Sequence, residues 1–350
     1  MKIALITGSC GLVGSESVNF FHKKNFKIIG IDNNSRKYFF GKDGDTNWIK
    51  NRLKKNFINY EHNTIDIRNY AMLHKIFKKN KSKIKIIIHT AAQPSHDWAK
   101  NNPFIDFNIN AKGTLNLLEL TNRYCPRAVF INMSTNKVYG DNPNKLKLIE
   151  KKNRWELQKN HKYFMGIDES MSIDNATHSF FGVSKIYADT IVQEFGKNYG
   201  LKSACFRAGC ITGPEHSGAK LHGFLSYLVK VCLTKKKYTL IGYKGKQVRD
   251  NIHSYDLVSC FWEFYKKPRV GEVYNVGGGR KSNCSILEAI NIVEKKSNIK
   301  VKKKYQKDNR VGDHIWYISS MKKFKKHYPN WKQKFNTVKI IEQLIKTSKR

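Results

Sequence analysis

Three glycines, Gly8, Gly11 and Gly14, follow the short apolar run Lys2-Ile3-Ala4-Leu5-Ile6 in the segment Thr7-Gly8-Ser9-Cys10-Gly11-Leu12-Val13-Gly14. A strand that turns into a helix through glycines can hold the pyrophosphate of a dinucleotide. Gly8 permits the tight turn, Gly11 lets backbone N–H groups such as those of Leu12 and Val13 approach phosphate, and Gly14 lets the helix pack on its strand. The spacing is GxxGxxG, not the commoner GxGxxG, and a glycine triplet alone also fits an ordinary strand-to-helix turn. Two acidic positions add to it. Asp32 ends the second apolar run, Phe26 to Ile31, where a carboxylate can accept hydrogen bonds from a ribose diol and repel a 2′-phosphate. NAD(H) is therefore favoured, while Arg36 leaves NADP(H) open. Asp66-Ile67-Arg68, after the apolar stretch near Phe57, offers an acidic side chain within reach of an adenine.

Other chemistries find less support. The seven cysteines are scattered, with no CxxC pair and no Cys/His cluster at zinc spacing, so neither a metal nor a disulfide framework is expected. The formal charge of +38 invites a polyanion partner. The lysines are spread along the chain, however, in groups such as Lys235-Lys236-Lys237 and Lys302-Lys303-Lys304, without a nucleic-acid-binding motif. No specific nucleic-acid partner is expected, although the positive field should help collect an anionic substrate. No apolar run approaches the roughly 20 residues of a membrane span, and the run after Lys2 is too short for a secretion signal. A cytoplasmic protein without a membrane partner is the expectation.

The elements that must position these residues are strands at 2–7, 27–31, 84–89, 128–133 and 203–206, with helical patterns between them and a long helix beginning near Ser184. Near-continuous apolar strands alternating with helices indicate an α/β fold, a Rossmann-type doubly wound parallel sheet covered on both faces. Beyond about residue 210 the elements shorten and the loops become rich in glycine and charge. The expected division is a NAD-binding domain over 1–205 that carries the catalytic segment. The remainder, 206–350, forms a smaller α/β substrate-binding region interleaved with it.

Further segments stand in order along the chain: His89-Thr90-Ala91-Ala92-Gln93, Asn110 with Gly113-Thr114-Leu115-Asn116-Leu117-Leu118-Glu119, Ser134-Thr135-Asn136-Lys137-Val138-Tyr139-Gly140, Gly182-Val183-Ser184-Lys185 and Arg249-Asp250. With the glycine turn they make nearly the whole chain resemble the extended short-chain dehydrogenase/reductase family, in its NAD-dependent nucleotide-sugar epimerase and dehydratase branch. STNKVYGD and GKQVRD look like the enzymes of that branch that act at C2 of a CDP-linked sugar, and Gly312-Asp313-His314-Ile315-Trp316 suggests a subgroup of its own.

The resemblance implies an isomerase of surface-polysaccharide synthesis: a hydride leaves a sugar carbon for NAD+, a keto-sugar intermediate reorients, and the hydride returns to the opposite face. It implies that Thr135 hydrogen-bonds the reacting hydroxyl and that Lys185 binds the nicotinamide ribose. It extends the coenzyme set to Asn33, Ile67, Ala91, Ala92, Gln93 and Asn110. It assigns Asn136, Lys137, Arg207, Arg249 and Arg310 to a CDP- or UDP-linked sugar, and it suggests a homodimer formed through the helices flanking the catalytic segment.

The chain departs from the family at one position. The usual tyrosine four residues before the lysine is Phe181, and a phenyl ring transfers no proton. Tyr187 faces another way on the helix. His96, in Gln93-Pro94-Ser95-His96-Asp97-Trp98, is the leading substitute base, with Asp97, His178 and Tyr163 as others. Dehydration is disfavoured because Asn136 and Lys137 stand where dehydratases carry an acidic pair. A 4-epimerase stays open, as does a catalytically silent protein that binds NAD or a nucleotide sugar.

Overall fold

The computed structural model describes residues 1–215, 223–309 and 312–348. Seven strands, numbered here along the chain, form its main sheet: β1 (Ile3–Thr7), β2 (Lys27–Ile31), β3 (Tyr60–Asn63), β4 (Ile84–His89), β5 (Val129–Thr135), β6 (Ser203–Ala208) and β7 (Glu272–Val276). Every residue of β1 and β6 is buried, as expected of strands covered on both faces. The spatial order is β7-β6-β5-β4-β1-β2-β3. β1 pairs in parallel with both β2 and β4, and β2–β3 and β4–β5 are also parallel. The chain thus builds outward from β1 in one direction, returns, and continues from β4 in the other. In such sheets the crevice beyond the carboxyl ends of the two central strands is where a nucleotide binds.

Helices cover this sheet: α1 (Leu12–His22), α2 (His96–Asn101), α3 (Pro103–Phe107), α4 (Gly113–Tyr124) and α5 (Phe180–Tyr199). Leu5, Ile29, Ile87 and Phe130 from the strands share one buried cluster with Leu117 of α4, Val192 of α5 and Phe77. Pro103 opens α3, where its missing N–H costs nothing. A π-turn over Asn108–Lys112 joins α3 to α4, an insertion often found at functional sites.

Two boundaries differ from the sequence reading. The helix expected from Ser184 begins at Phe180. Serine favours helix caps, but the Ser184 hydroxyl is satisfied inside the helix by the Phe181 carbonyl at 3.0 Å and by Asp106 at 2.6 Å. The strand expected to end at 133 runs on to Thr135, which places that threonine at the carboxyl end of β5.

The chain divides into two compact units. The first comprises Met1–Val138, Phe180–Arg207 and Val258–Tyr274; the second comprises Tyr139–Ser179, Ala208–Leu257 and Asn275–Arg350. Against the boundary expected at 205, the segment 139–179 falls in the second unit and 258–274 returns to the first. The return has a packing reason: Phe261, Phe264 and Tyr274 ring Phe206 of β6 at centroid distances of 5.0, 6.0 and 5.7 Å.

In the second unit, strand Val248–His253 pairs in parallel with Cys210–Thr212 and Trp316–Tyr317 and antiparallel with Asn283–Ser285. Helices Phe224–Leu233, Ile286–Ser297 and Thr337–Ser348 bury Leu228, Ile290 and Ile341 in a second core. Ser285 and Glu288 close a reciprocal capping box on the middle helix. Among the described residues no helix is long and apolar enough to cross a membrane, and no group of three His, Cys, Asp or Glu side chains is placed to hold a metal ion.

Candidate active site

The glycine turn brings the start of α1 tightly against the end of β1. Gly8 has φ of +67°, and a Cβ there would lie 2.7 Å from the Ala91 nitrogen; a Cβ on Gly14 would lie 2.0 Å from the Gly8 carbonyl oxygen. The first turn of α1 can therefore sit directly on the end of β1. Gly11 is the N-cap of α1 and brings no side-chain cap, so the opening N–H groups, those of Leu12, Val13 and Gly14 among them, present an uncapped helix start. Asp32 closes the turn from the end of β2, accepting from the Cys10 N–H at 2.9 Å and the Asn34 N–H at 2.8 Å. Burial pushes its carboxyl up, and those two backbone donors work against the shift. Asn33 donates to Asp66 at 3.0 Å, and Arg68 clasps the same carboxylate at 2.7 and 2.9 Å. This donor and acceptor set, with a cradle that a Cβ would fill, fits a dinucleotide.

The Ile67 side chain is buried in the core, against the place where a Cβ on Gly113 would meet it at 2.6 Å, which leaves only its backbone to serve a coenzyme. Ala91 and Ala92 line the loop after β4, and Gln93 beyond them is fully buried. The Gln93 N–H donates to Asn110 Oδ1 at 2.9 Å, and Asn110 Nδ2 returns a bond to the Gln93 carbonyl at 3.1 Å. Asn110 sits on the π-turn, so this reciprocal pair ties the turn to the loop after β4.

Behind that loop His89 bridges two threonines. Thr114 donates to the Asn110 carbonyl at 2.6 Å, so it must accept from His89 Nε2 at 2.9 Å, leaving Nδ1 to accept from Thr7 at 2.7 Å. The imidazole is thereby held neutral in one tautomer, and burial pushes its pKa down to about 3, with the Lys185 charge in support.

Thr135 ends β5, and its hydroxyl accepts the Lys137 N–H at 3.2 Å. Asn136 is buried and Lys137 half-buried in the short turn that follows. Lys185, on α5, is 5% exposed and donates to the Met133 carbonyl at 2.8 Å. Burial pushes its ammonium down to about 8, opposed by Cys205, Asp189 and Asp106. One turn before it, Phe181 is buried, and the His96 ring meets it edge to face at a centroid distance of 4.8 Å. Tyr187 packs instead beside Phe107 at 5.9 Å.

Arg207 stands elsewhere than expected. Expected to face substrate, it is buried on β6 and forks onto Asp189 at 2.7 and 3.0 Å, while Ser134 donates to the same carboxylate at 2.5 Å. Its guanidinium ties β6, through Asp189 of α5, to Ser134 of β5.

In the second unit Arg249 is buried and paired with Asp313 at 2.6 Å. His178 Nε2 lies 2.9 Å from the Ile173 carbonyl, and Tyr163 is buried. Arg310 lies outside the described residues. Sequence reasoning missed Asp106 and the part played by Ser184. The available signal was an acid four residues before Asn110 on a helical stretch, the spacing of side chains that meet.

The model of the NAD dependent epimerase/dehydratase family matches residues 4–277. The chain belongs to that family. NAD is its coenzyme, and nucleotide-sugar epimerases and dehydratases are its relatives. A CDP-paratose 2-epimerase from Salmonella typhi is 31% identical over 85% of each chain. Among solved structures, a dTDP-glucose 4,6-dehydratase from Bacillus anthracis in complex with NAD has a TM-score of 0.77 at 25% identity, covering 100% of this chain and 97% of the other. A UDP-glucose 4-epimerase from Bifidobacterium longum in complex with NAD+ and UDP has a TM-score of 0.81 at 20% identity, covering 99% and 98%.

Proposed function

We propose that the protein is a nucleotide-sugar epimerase acting at C2 of a CDP-linked sugar, in the manner of CDP-paratose 2-epimerase. The observation that carries this reading is the segment Ser134-Thr135-Asn136-Lys137. It keeps a hydroxyl at the end of the strand whose Met133 carbonyl accepts from the buried Lys185, but offers an amide and an ammonium where dehydration would need an acid and a base. The 31% identity to a CDP-paratose 2-epimerase favours C2 and a cytidine nucleotide over 4-epimerases of the family.

The coenzyme supplies a reversible two-electron acceptor. The chain's own residues supply the rest. The opening N–H groups of α1 and Asp32 would hold the dinucleotide, and Lys185 would donate to its ribose. Thr135 would orient the reacting hydroxyl. Phe181 excludes water without moving a proton, and we assign the base to His96, the titratable ring in contact with it. Arg249, its charge balanced by Asp313, would face the substrate diphosphate, where a guanidinium fork suits phosphate oxygens. Arg310 is assigned there with it.

The reading includes a cytoplasmic homodimer serving surface-polysaccharide (O-antigen) synthesis. Phe180, Val183 and Tyr199 of α5 are 55, 52 and 61% exposed, which supports pairing through that helix.

Phe181 also favours a second reading, a catalytically silent binder. Incubation with CDP-, UDP- and GDP-linked sugars labelled with deuterium at C2 separates the two. Epimerisation with the label retained supports the enzyme; silence with every sugar despite bound NAD+ supports the binder. Within the first outcome, His96→Ala is expected to lower kcat by about 100-fold or more. Unchanged turnover removes His96 as the base.

A further inference from the structure

The turn after β1 is also held by a side chain of β3, two strands away in the sheet, and one absent methyl group lets it reach. The Tyr60 and Ser9 hydroxyls lie 2.9 Å apart, and both residues are buried. A Cβ on Gly30 of β2, the strand between them, would lie 2.5 Å from the Tyr60 ring, 2.6 Å from its oxygen and 2.7 Å from the Ser9 hydroxyl. A side chain at residue 30 would therefore close the gap through which the two hydroxyls meet. The row continues outward: Tyr60 Oη lies 3.0 Å from His62 Nδ1, and His62 Nε2 lies 3.2 Å from Thr64 Oγ1. Burial pushes the His62 imidazole down to about 4, with the Lys50 and Lys54 charges in support. Its neutral ring brings one N–H and each hydroxyl one proton, so every link of the row is made whichever way the protons point.

Ser9 is where this link has an effect. Its N–H reaches the Ile31 carbonyl only at 3.4 Å, whereas the Gly8 N–H reaches the same oxygen at 2.8 Å, so the backbone holds Ser9 weakly and the hydroxyl link adds the missing restraint. The first turn of α1 rests on that residue: a Cβ on Gly14 would lie 2.8 Å from the Ser9 Cα. A shift of Ser9 is thus passed to the opening N–H groups of α1. We propose that Tyr60 is a positioning residue for the coenzyme: through the Ser9 hydroxyl it fixes the glycine turn, and with it the α1 N–H groups that would take the NAD pyrophosphate. The assignment rests on NAD as the coenzyme and is independent of which sugar the protein takes.

The test is calorimetric titration of the 350-residue chain with NAD+, with ADP, which keeps the pyrophosphate, and with adenosine, which lacks it. The proteins are the wild type, Tyr60→Phe, Ser9→Ala and the double variant, with the unfolding temperature of each recorded. Each single variant should weaken NAD+ and ADP by about three- to tenfold, the worth of one hydrogen bond. The double variant should bind no more weakly than the worse single, because both changes remove the same link. Adenosine should bind all four proteins alike. A lower unfolding temperature with unchanged affinity makes the bond merely structural and overturns the proposal, as do losses that multiply in the double variant. An adenosine loss equal to that of ADP places the effect at Asp32, away from the phosphates, and overturns it too. Should Y60F not fold, S9A decides alone: its hydroxyl is buried against Tyr60, and unchanged NAD+ and ADP affinity overturns the proposal. A wild type that binds neither NAD+ nor ADP removes the coenzyme assignment and the proposal together. A wild type that binds both, with variants that match it, removes the proposal alone.

Discussion

His89 shows how one side chain can tie the end of a strand to the acid stability of the fold. Its neutral ring links Thr7 at the end of β1 to Thr114 on α4, and protonation would set an N–H against a threonine that is itself donating. The folded pKa, about 3, lies below that of an unfolded histidine near 6.5. The unfolded chain therefore binds the proton first, and this group's contribution, full above about 6.5, is lost as pH falls toward 3. His89→Gln should flatten that part of the curve. Between pH 7 and pH 5 the wild type is expected to lose about 2 kcal/mol relative to the variant, measured by urea unfolding. Arg207 makes a second case at this scale. It and Asp189 are both buried, so Arg207→Met leaves a carboxylate without its guanidinium and should destabilise by about 3–5 kcal/mol. A loss of substrate affinity with unchanged stability would return Arg207 to the role first expected of it.

At the scale of elements, α1 depends on a single missing methyl group. Gly14→Ala sets a carbon against the Gly8 carbonyl, and backbone cannot swing aside as a side chain can. The variant is expected to lose NAD+ binding by at least about tenfold, read by fluorescence titration, because α1 must lift from β1 to admit the methyl. Unaltered affinity would show that the turn has slack the geometry does not suggest. The glycine turn and β1, β2, β4, β5 and β6 were legible in the sequence because each of these strands is mostly buried and writes a largely apolar run, whereas the polar, partly exposed β3 writes none. The seventh strand, Glu272–Val276, was not. It completes the sheet beside β6 only after the chain has built most of the second unit, and its pairing is set by residues far away in sequence. The same distance hid the bond from Ser184 to Asp106: the two lie 78 residues apart, and nothing local to either announces it.

The whole molecule carries a formal net charge of +38, and its excess positive charges repel one another. In the two-stranded pairing of Lys237–Ile241 with Lys302–Gln306, Lys237 stands directly opposite Lys302, a like-charge register that costs stability. Moderate salt should therefore raise the unfolding temperature while weakening the capture of an anionic nucleotide sugar. Between 0.05 and 0.5 M NaCl, Tm is expected to rise and KM to increase several-fold with little change in kcat. A KM indifferent to salt would remove the field from substrate capture. The polypeptide passes from one compact unit to the other after Val138, Ser179, Arg207, Leu257 and Tyr274. Neither unit is thus a cassette: a single splice with a related gene cannot exchange one intact, and a swap that preserved both would need all five joints. Change in what this scaffold recognises is then expected to accumulate by replacement of individual residues, with the two units inherited together.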